Sequence, residues 1–351
     1  MSAGTASSTS FGSGVSRLVV AVACAVTLTN VLAFSAGIAP RDALRVAYEG
    51  SLASGYGVGQ ILFRATPIVI TALAARVALL GGLFNIGVEG QLAGASLAVG
   101  VVGAWCGTVG LPGVAAAVLV VLCALVVGSG IAAIPATLRA RFGASEVIGG
   151  IVVNQLVAML VGLLLRTRFA VPGTMRTPAL PPGLLARPLG TWVPALAGAP
   201  VSTLSVVVAV AAPLAYVALA RMRVAREWEL VAETPDACAF AGIPVARRRF
   251  QALAVSGAIA GLVALPMVAG YKGYAEPGLG AGTGFAGLAA AMLGGSSATV
   301  TIAAAVWFGV VDQAGLALHA LLPKDLVLVV QASTMLVAAL LGARRSKAVP
   351  S

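Results

Sequence analysis

From Gly90 to Leu138 the chain carries no Asp, Glu, Lys or Arg. A soluble domain of ordinary composition has about one charged residue in four, and a bilayer-crossing helix needs about 20 apolar residues. This run therefore accommodates two crossings. Further uncharged runs cover residues 18–40, 147–165, 188–220, 250–271, 277–311 and 326–343. With 60% of 351 residues hydrophobic and 9% charged, the chain reads as an all-α polytopic membrane protein. The buried core of a large soluble protein does not fit such segregated charge.

The remaining composition excludes several chemistries. Cys24, Cys106, Cys123 and Cys238 show no paired spacing, so no disulfide framework and no metal site is expected. A net charge of +11 would suggest nucleic acid in a soluble protein. Here the basic residues cluster beside apolar runs, as in loops at a bilayer surface, and no nucleic-acid partner is expected. The opening "MSAGTASSTSFGSGVSR" reads as a disordered Ser/Gly/Thr tail over residues 1–16. The apolar stretch behind it is too long for the core of a signal peptide and reads as a retained span.

Breakers divide residues 17–343 into about ten transmembrane helices in one domain. The expected spans are 17–37, 62–82, 91–109, 111–137, 146–165, 200–220, 251–270, a short 283–295, 298–318 and 324–343. Residues 166–198, rich in proline and arginine, form an external loop, and 221–249 is the longest charged segment. Glycine-rich stretches near 81–91 and 271–284 read as broken helices. The basic clusters "RRR" at 247–249 and "ARRSK" near the C-terminus put both termini, including the 344–351 tail, in the cytoplasm. The segments "LFNIGVEGQLAGASLA" and "LGAGTGFAGLAAAMLG" share glycine spacing, a hint of the internal duplication common in transporters.

Two segments concentrate residues able to carry chemistry. In "GGLFNIGVEGQ" (81–91), an ionised Glu89 at membrane depth would be expensive and would face the bundle interior or a water path. Its functional role would include a structural pairing with Arg76, and at the cytoplasmic membrane surface the carboxylate would cost little and need no such role. A helix break is tolerated in a bilayer only when shielded by protein or lining a cavity. Phe84, Asn85, Glu89 and Gln91 are therefore candidate solute-contact residues, with capping of the break as the rival role for Asn85. Asn154, two turns after Glu146, is a further pathway candidate or an interhelical hydrogen-bonding group. Tyr271, Lys272, Tyr274 and Glu276 crowd the second break, as a gate or as interfacial anchors.

The second segment is "EWELVAETPDACAFAGIPVARRRF". Thr234 suits an N-cap, Pro235 the first helical position, Asp236 the positive helix end, and Gly242 a left-handed C-terminal cap before Pro244. A two-turn helix over 235–241 is expected outside the bilayer.

Taken in order, "GLFNIGVEGQ", "SEVIGGIVVNQL", "AETPDACAFAGI" and "GFAGLAAAMLG" resemble the inner-membrane permease subunits of bacterial ABC importers. The resemblance is to the ribose and branched-chain amino acid permease superfamily, in its nucleoside branch, and it covers roughly residues 60–300. Phe84 and Gln91 around "NIGVEG" look like the larger permease of a nucleoside pair. The resemblance implies a non-catalytic translocation subunit without cofactor in the bacterial cytoplasmic membrane. It also implies as partners a second homologous permease, cytoplasmic ABC ATPases and an external substrate-binding lipoprotein. Glu233, Thr234, Pro235, Asp236, Ala237, Phe240 and Gly242 match the family's coupling segment, which docks onto the ATPase. The sequence departs from the family in three places. Leu80 stands where a basic residue is common, although Arg76 lies on the same helical face. "AETP" replaces "GENP", and "SEVI" replaces "NEVI".

The phosphate-binding pattern GxxxxGK[ST] is absent, which leaves ATP to another chain. No nucleophile–base pair suggests an enzyme. The alternatives are a permease of the same class for a ribose-like sugar or an amino acid, and an ion-coupled carrier. The last would use Glu89, Asp312 and His319 as its relay.

Overall fold

The computed structural model describes residues 3–343, and among them it is helical without strands. The elements are α1 (Ala3–Ser35), α2 (Pro40–Glu49), α3 (Gly55–Leu80), α4 (Val88–Thr108), α5 (Gly113–Phe142), α6 (Glu146–Leu164) and α7 (Thr203–Ala220). Then come α8 (Arg223–Glu233), α9 (Pro235–Phe240), α10 (Val245–Gly261), α11 (Thr283–Gly294), α12 (Ala298–Leu318) and α13 (Lys324–Ala343). Among the described residues, eight helical stretches are long and apolar enough to cross a membrane, counting Gly14–Ser35, Glu146–Phe169 and Val245–Lys272 as continuous. The shorter α11, together with α13, completes the expected set of segments. The C-terminal tail expected at 344–351 lies outside the described residues.

Boundaries differ from expectation where glycine or proline reads as a stop. α1 begins at Ala3, so the stretch expected to be disordered is helical from there on. α3 starts at Gly55, ahead of the expected 62. Its first glycines are sites of close approach: a Cβ on Gly55 would collide with the Ala195 carbonyl oxygen. α5 runs through "LRARF" until Gly143 turns left-handed at φ 66° and closes the helix onto the Arg139 carbonyl. α6 and α10 do not stop but widen. Leu165–Phe169 and Leu265–Lys272 are π-helical, closed by i→i−5 bonds from Ala170 to Leu165 (3.0 Å) and from Gly273 to Val268 (2.7 Å). Pro266, which has no N–H to give, opens the second of these.

The chain divides into two compact units. One holds the described residues up to Ala72, Leu189–Val201, and those from Ala286 on. Its helices α1, α2 and α12 meet around Ala33, Ala43, Leu318 and Leu322. Within it the Arg64 guanidinium bonds the Asp312 carboxylate (2.7 Å) and Gln313 Oε1 (2.9 Å), and Gln313 Nε2 donates to the Gly50 carbonyl (2.9 Å). His319 is exposed at the C-cap of α12.

The other unit holds Leu73–Pro188 and Ser202–Phe285. Its tightest seam is α5 against α10, where a Cβ on Gly257 would collide with Ala132 Cβ and the Gly128 oxygen. Gly257 and Gly261 on one helix face Ala124, Gly128 and Ala132 on the other. Such small residues let membrane helices pack backbone to backbone. α4 completes a core of Ala95, Val99, Val120, Ala124, Ala264 and Val268. α8 buries Ala225, Trp228 and Val231 at three-residue spacing, and Glu227 on it pairs with Arg248 of α10 (2.5 Å).

Candidate functional site

The turn between α3 and α4 is tied from several sides. Gly82 turns the chain with φ 68°. Asn85 and Gln91 are buried and exchange hydrogen bonds, Asn85 Nδ2 to Gln91 Oε1 and Gln91 Nε2 to Asn85 Oδ1, both 2.9 Å. Asn85 Nδ2 also donates to Ser256 Oγ (2.8 Å), whose hydroxyl passes on to the Ala74 carbonyl (2.6 Å). These two amides satisfy one another and, through Ser256, reach the Ala74 carbonyl of α3. Neither lines the cavity that α4, α6 and residues 275–285 enclose. The Phe84 ring is part-exposed and also outside that cavity. Its backbone N–H points to Glu146 Oε1 (3.4 Å), and Glu146 is ion-paired with Arg139.

Glu89 and Asn154 stand elsewhere. Asn154 of α6 accepts from the Gly90 N–H (2.8 Å) and donates to the Ile86 carbonyl (2.8 Å). It thereby satisfies a donor in the first turn of α4 that has no partner within the helix. The Glu89 carboxylate accepts from the Gly282 N–H (3.1 Å) and the Gly284 N–H (2.8 Å). One carboxyl group thus sits in the first turn of α4 and at the start of α11, a place where aligned peptide dipoles favour negative charge. Arg76 does not supply the bonds to these oxygens that the sequence suggested. Its Nε donates to the Tyr216 hydroxyl (3.1 Å), with the guanidinium 5.3 Å from that ring.

Glu89 and Asn154 both line a cavity of about 390 Å3. Its walls are one face of α4 (Glu89, Leu92, Ala93, Ser96, Leu97), one face of α6 from Ile151 to Leu165, and the second break from Ala275 to Phe285. The size and the apolar lining with a few polar groups fit a small-molecule site. A π-helical turn, a feature that favours functional sites, ends α6, and a second one precedes the break at 275–285. At the second break Lys272 Nζ pairs with Glu276 (3.0 Å) and Arg176 covers the Tyr274 ring (4.8 Å). Sequence reasoning misses Ser96, Gln155 and Phe285. Ser96 is within its reach, being seven residues, or two turns, beyond Glu89 on the same face. Phe285 is not, since its place depends on how residues 275–285 fold back.

At the charged segment, α9 spans Pro235–Phe240 with Pro235 at its first position. Gly242 at φ 79° ends it, and Ile243 donates to the Cys238 carbonyl (2.9 Å). Thr234 is the N-cap by position only: its hydroxyl reaches back to the Leu230 carbonyl (3.3 Å) and closes α8 instead. Glu233, Asp236 and Ala237 line the outer side of this segment with little cover, and Phe240 is 95% exposed. Among the described residues no cluster of His, Cys, Asp or Glu could hold a metal ion.

Helices long and apolar enough to cross a membrane, with a cavity among them, mark a multi-pass membrane protein. A family model, described as "Branched-chain amino acid transport system / permease component", matches residues 57–339, and the chain belongs to that family. The chain is 31% identical to the glucose ABC transporter permease protein TsgB13 of Haloferax volcanii, covering 91% of this chain and 85% of that one. It is 28% identical to the nucleoside ABC transporter permease protein NupB of Lactococcus lactis subsp. cremoris (76% and 74% covered). It is also 28% identical to the guanosine ABC transporter permease protein NupP of Bacillus subtilis (80% and 83%). No solved structure matches it.

Proposed function

We propose that this permease is the translocation-pathway subunit of an ATP-driven importer that takes up nucleosides across the bacterial cytoplasmic membrane, with both termini cytoplasmic. The observation that carries the reading is the cavity, whose polar side chains are few and whose one aromatic is Phe285. A base needs an aromatic or apolar face and a ribose needs hydrogen-bonding groups, and this wall offers both. Glu89 and Asn154 hold the wall in shape and meet the pathway. Asn85 and Gln91 keep the adjoining break closed, and Phe84 lies outside the lining.

ATP hydrolysis belongs to a separate chain. α9 and the residues around it, Glu233 to Gly242, form the docking element, because a short rigid helix with a bare Phe240 invites a partner. The broad apolar face of α6, including Ile148, Val152, Leu156 and Met159, is where lipid or a second permease would pack. An external binding lipoprotein would deliver the solute. A sugar is the second reading, favoured by the glucose permease among the relatives. An ion-coupled relay draws less support, since Asp312 is held by Arg64 and His319 lies at a helix end.

The test is uptake of labelled guanosine, adenosine and glucose by the complete complex in proteoliposomes. Nucleoside uptake that needs internal ATP and persists without an ion gradient is expected. Uptake by this chain alone on a proton or sodium gradient would sink the reading.

A further inference from the structure

We infer that Ser96 is a solute-recognising residue whose hydroxyl bonds a hydroxyl group of a neutral, polyhydroxylated solute. This inference rests on the reading of the cavity as the solute pathway.

Ser96 lies in the middle of α4 and is 3% exposed. A serine or threonine inside a helix has a ready partner in the carbonyl four residues back. Thr29, Thr66, Thr137, Thr167 and Thr334 all take it. Ser96 does not, and its buried Oγ has no hydrogen-bond partner among the described residues. An unsatisfied hydroxyl in an apolar setting is costly. The residue lines the cavity, so the missing partner has a place to come from.

The other polar side chains of the lining narrow its chemistry. Glu89 is occupied by Gly282 and Gly284, Asn154 by Gly90 and Ile86, and Glu276 by Lys272. Gln155 on α6 lines the same cavity and, like Ser96, keeps its hydrogen-bonding capacity. The two groups left over are a hydroxyl and a carboxamide, both neutral and both able to donate and accept. They match the hydroxyls of a sugar, free or as the ribose of a nucleoside. An amino acid's carboxylate would meet no basic side chain in this lining, whose ionisable groups are the two acids Glu89 and Glu276.

The test uses the assembled complex in proteoliposomes with internal ATP, and labelled guanosine, glucose and leucine. Carriage of guanosine or glucose by the wild type is the expected first result. Carriage of leucine alone, or of none of the three, overturns this inference together with the nucleoside and sugar readings. With the transported solute and its single-deoxy analogues, Ser96→Ala should raise the KM of the parent about tenfold, the weight of one hydrogen bond. It should leave the KM of one deoxy analogue where the wild type has it. Ser96→Cys, which keeps the size and a weak donor, should fall between and serves if the alanine variant fails to assemble. An unchanged KM for every solute, or an equal rise for all, overturns the inference while leaving the pathway reading intact.

Discussion

A single carboxamide does much of the holding at the first break. Asn154 gives a partner to the Ile86 carbonyl in the break and to the Gly90 N–H in the first turn of α4. Asn154→Leu keeps the volume but leaves both backbone groups unpaired, at about 1–3 kcal/mol for each. The purified protein is expected to melt several degrees lower, as read by thermal unfolding in detergent. An unchanged melting temperature would mean that water or lipid takes over these bonds. The sequence makes the polar residues of 81–91 conspicuous but not their direction. Asn85, Gln91 and Glu89 are close neighbours in the chain, and only the fold separates the buried amide pair from the carboxylate that faces the cavity.

At the level of elements, α9 is the most legible, because its signals are local. Proline at the first position and glycine at the left-handed stop need no tertiary information, and the helix ends within a residue of expectation. The hydroxyl of Thr234 departs from expectation because two helices meet there, and the end of α8 outcompetes the start of α9 for it. Phe240 touches little in this chain, so Phe240→Ser should leave thermal stability within about 0.5 kcal/mol of wild type. The same variant is expected to reduce the ATPase recovered with the purified permease. Full recovery would remove Phe240 from the docking surface.

Across the whole molecule, the spans are readable because hydropathy and charge segregation depend only on sequence. Their ends are not, since glycine marks a stop in one place and a close approach in another. Gly55 begins a helix against Ala195, and Gly257 sits mid-helix against Ala132. At Gly257 a larger residue has no room. Gly257→Val would push α5 and α10 apart against Ala132 Cβ and the Gly128 oxygen, an overpacking cost of about 1–3 kcal/mol or more. The expected outcome is a reduced yield of monodisperse protein by size-exclusion chromatography. Ala218→Val is the control, since Ala218 is exposed on α7, outside this seam, and it should leave the yield unchanged.

The bonds made by Glu89 and Asn154 also bear on how the cavity can move. Glu89 fastens the α4 wall to the 282–284 wall, and Asn154 fastens α4 to α6. All three sides are thus laced to one short stretch, Ile86–Gly90, by side chains whose release would strand polar groups in an apolar setting. On the function proposed for it, a chamber tied in this way would behave as a rigid cup rather than a valve. A solute would be passed on by turning the cup as a piece, with its rim unbroken.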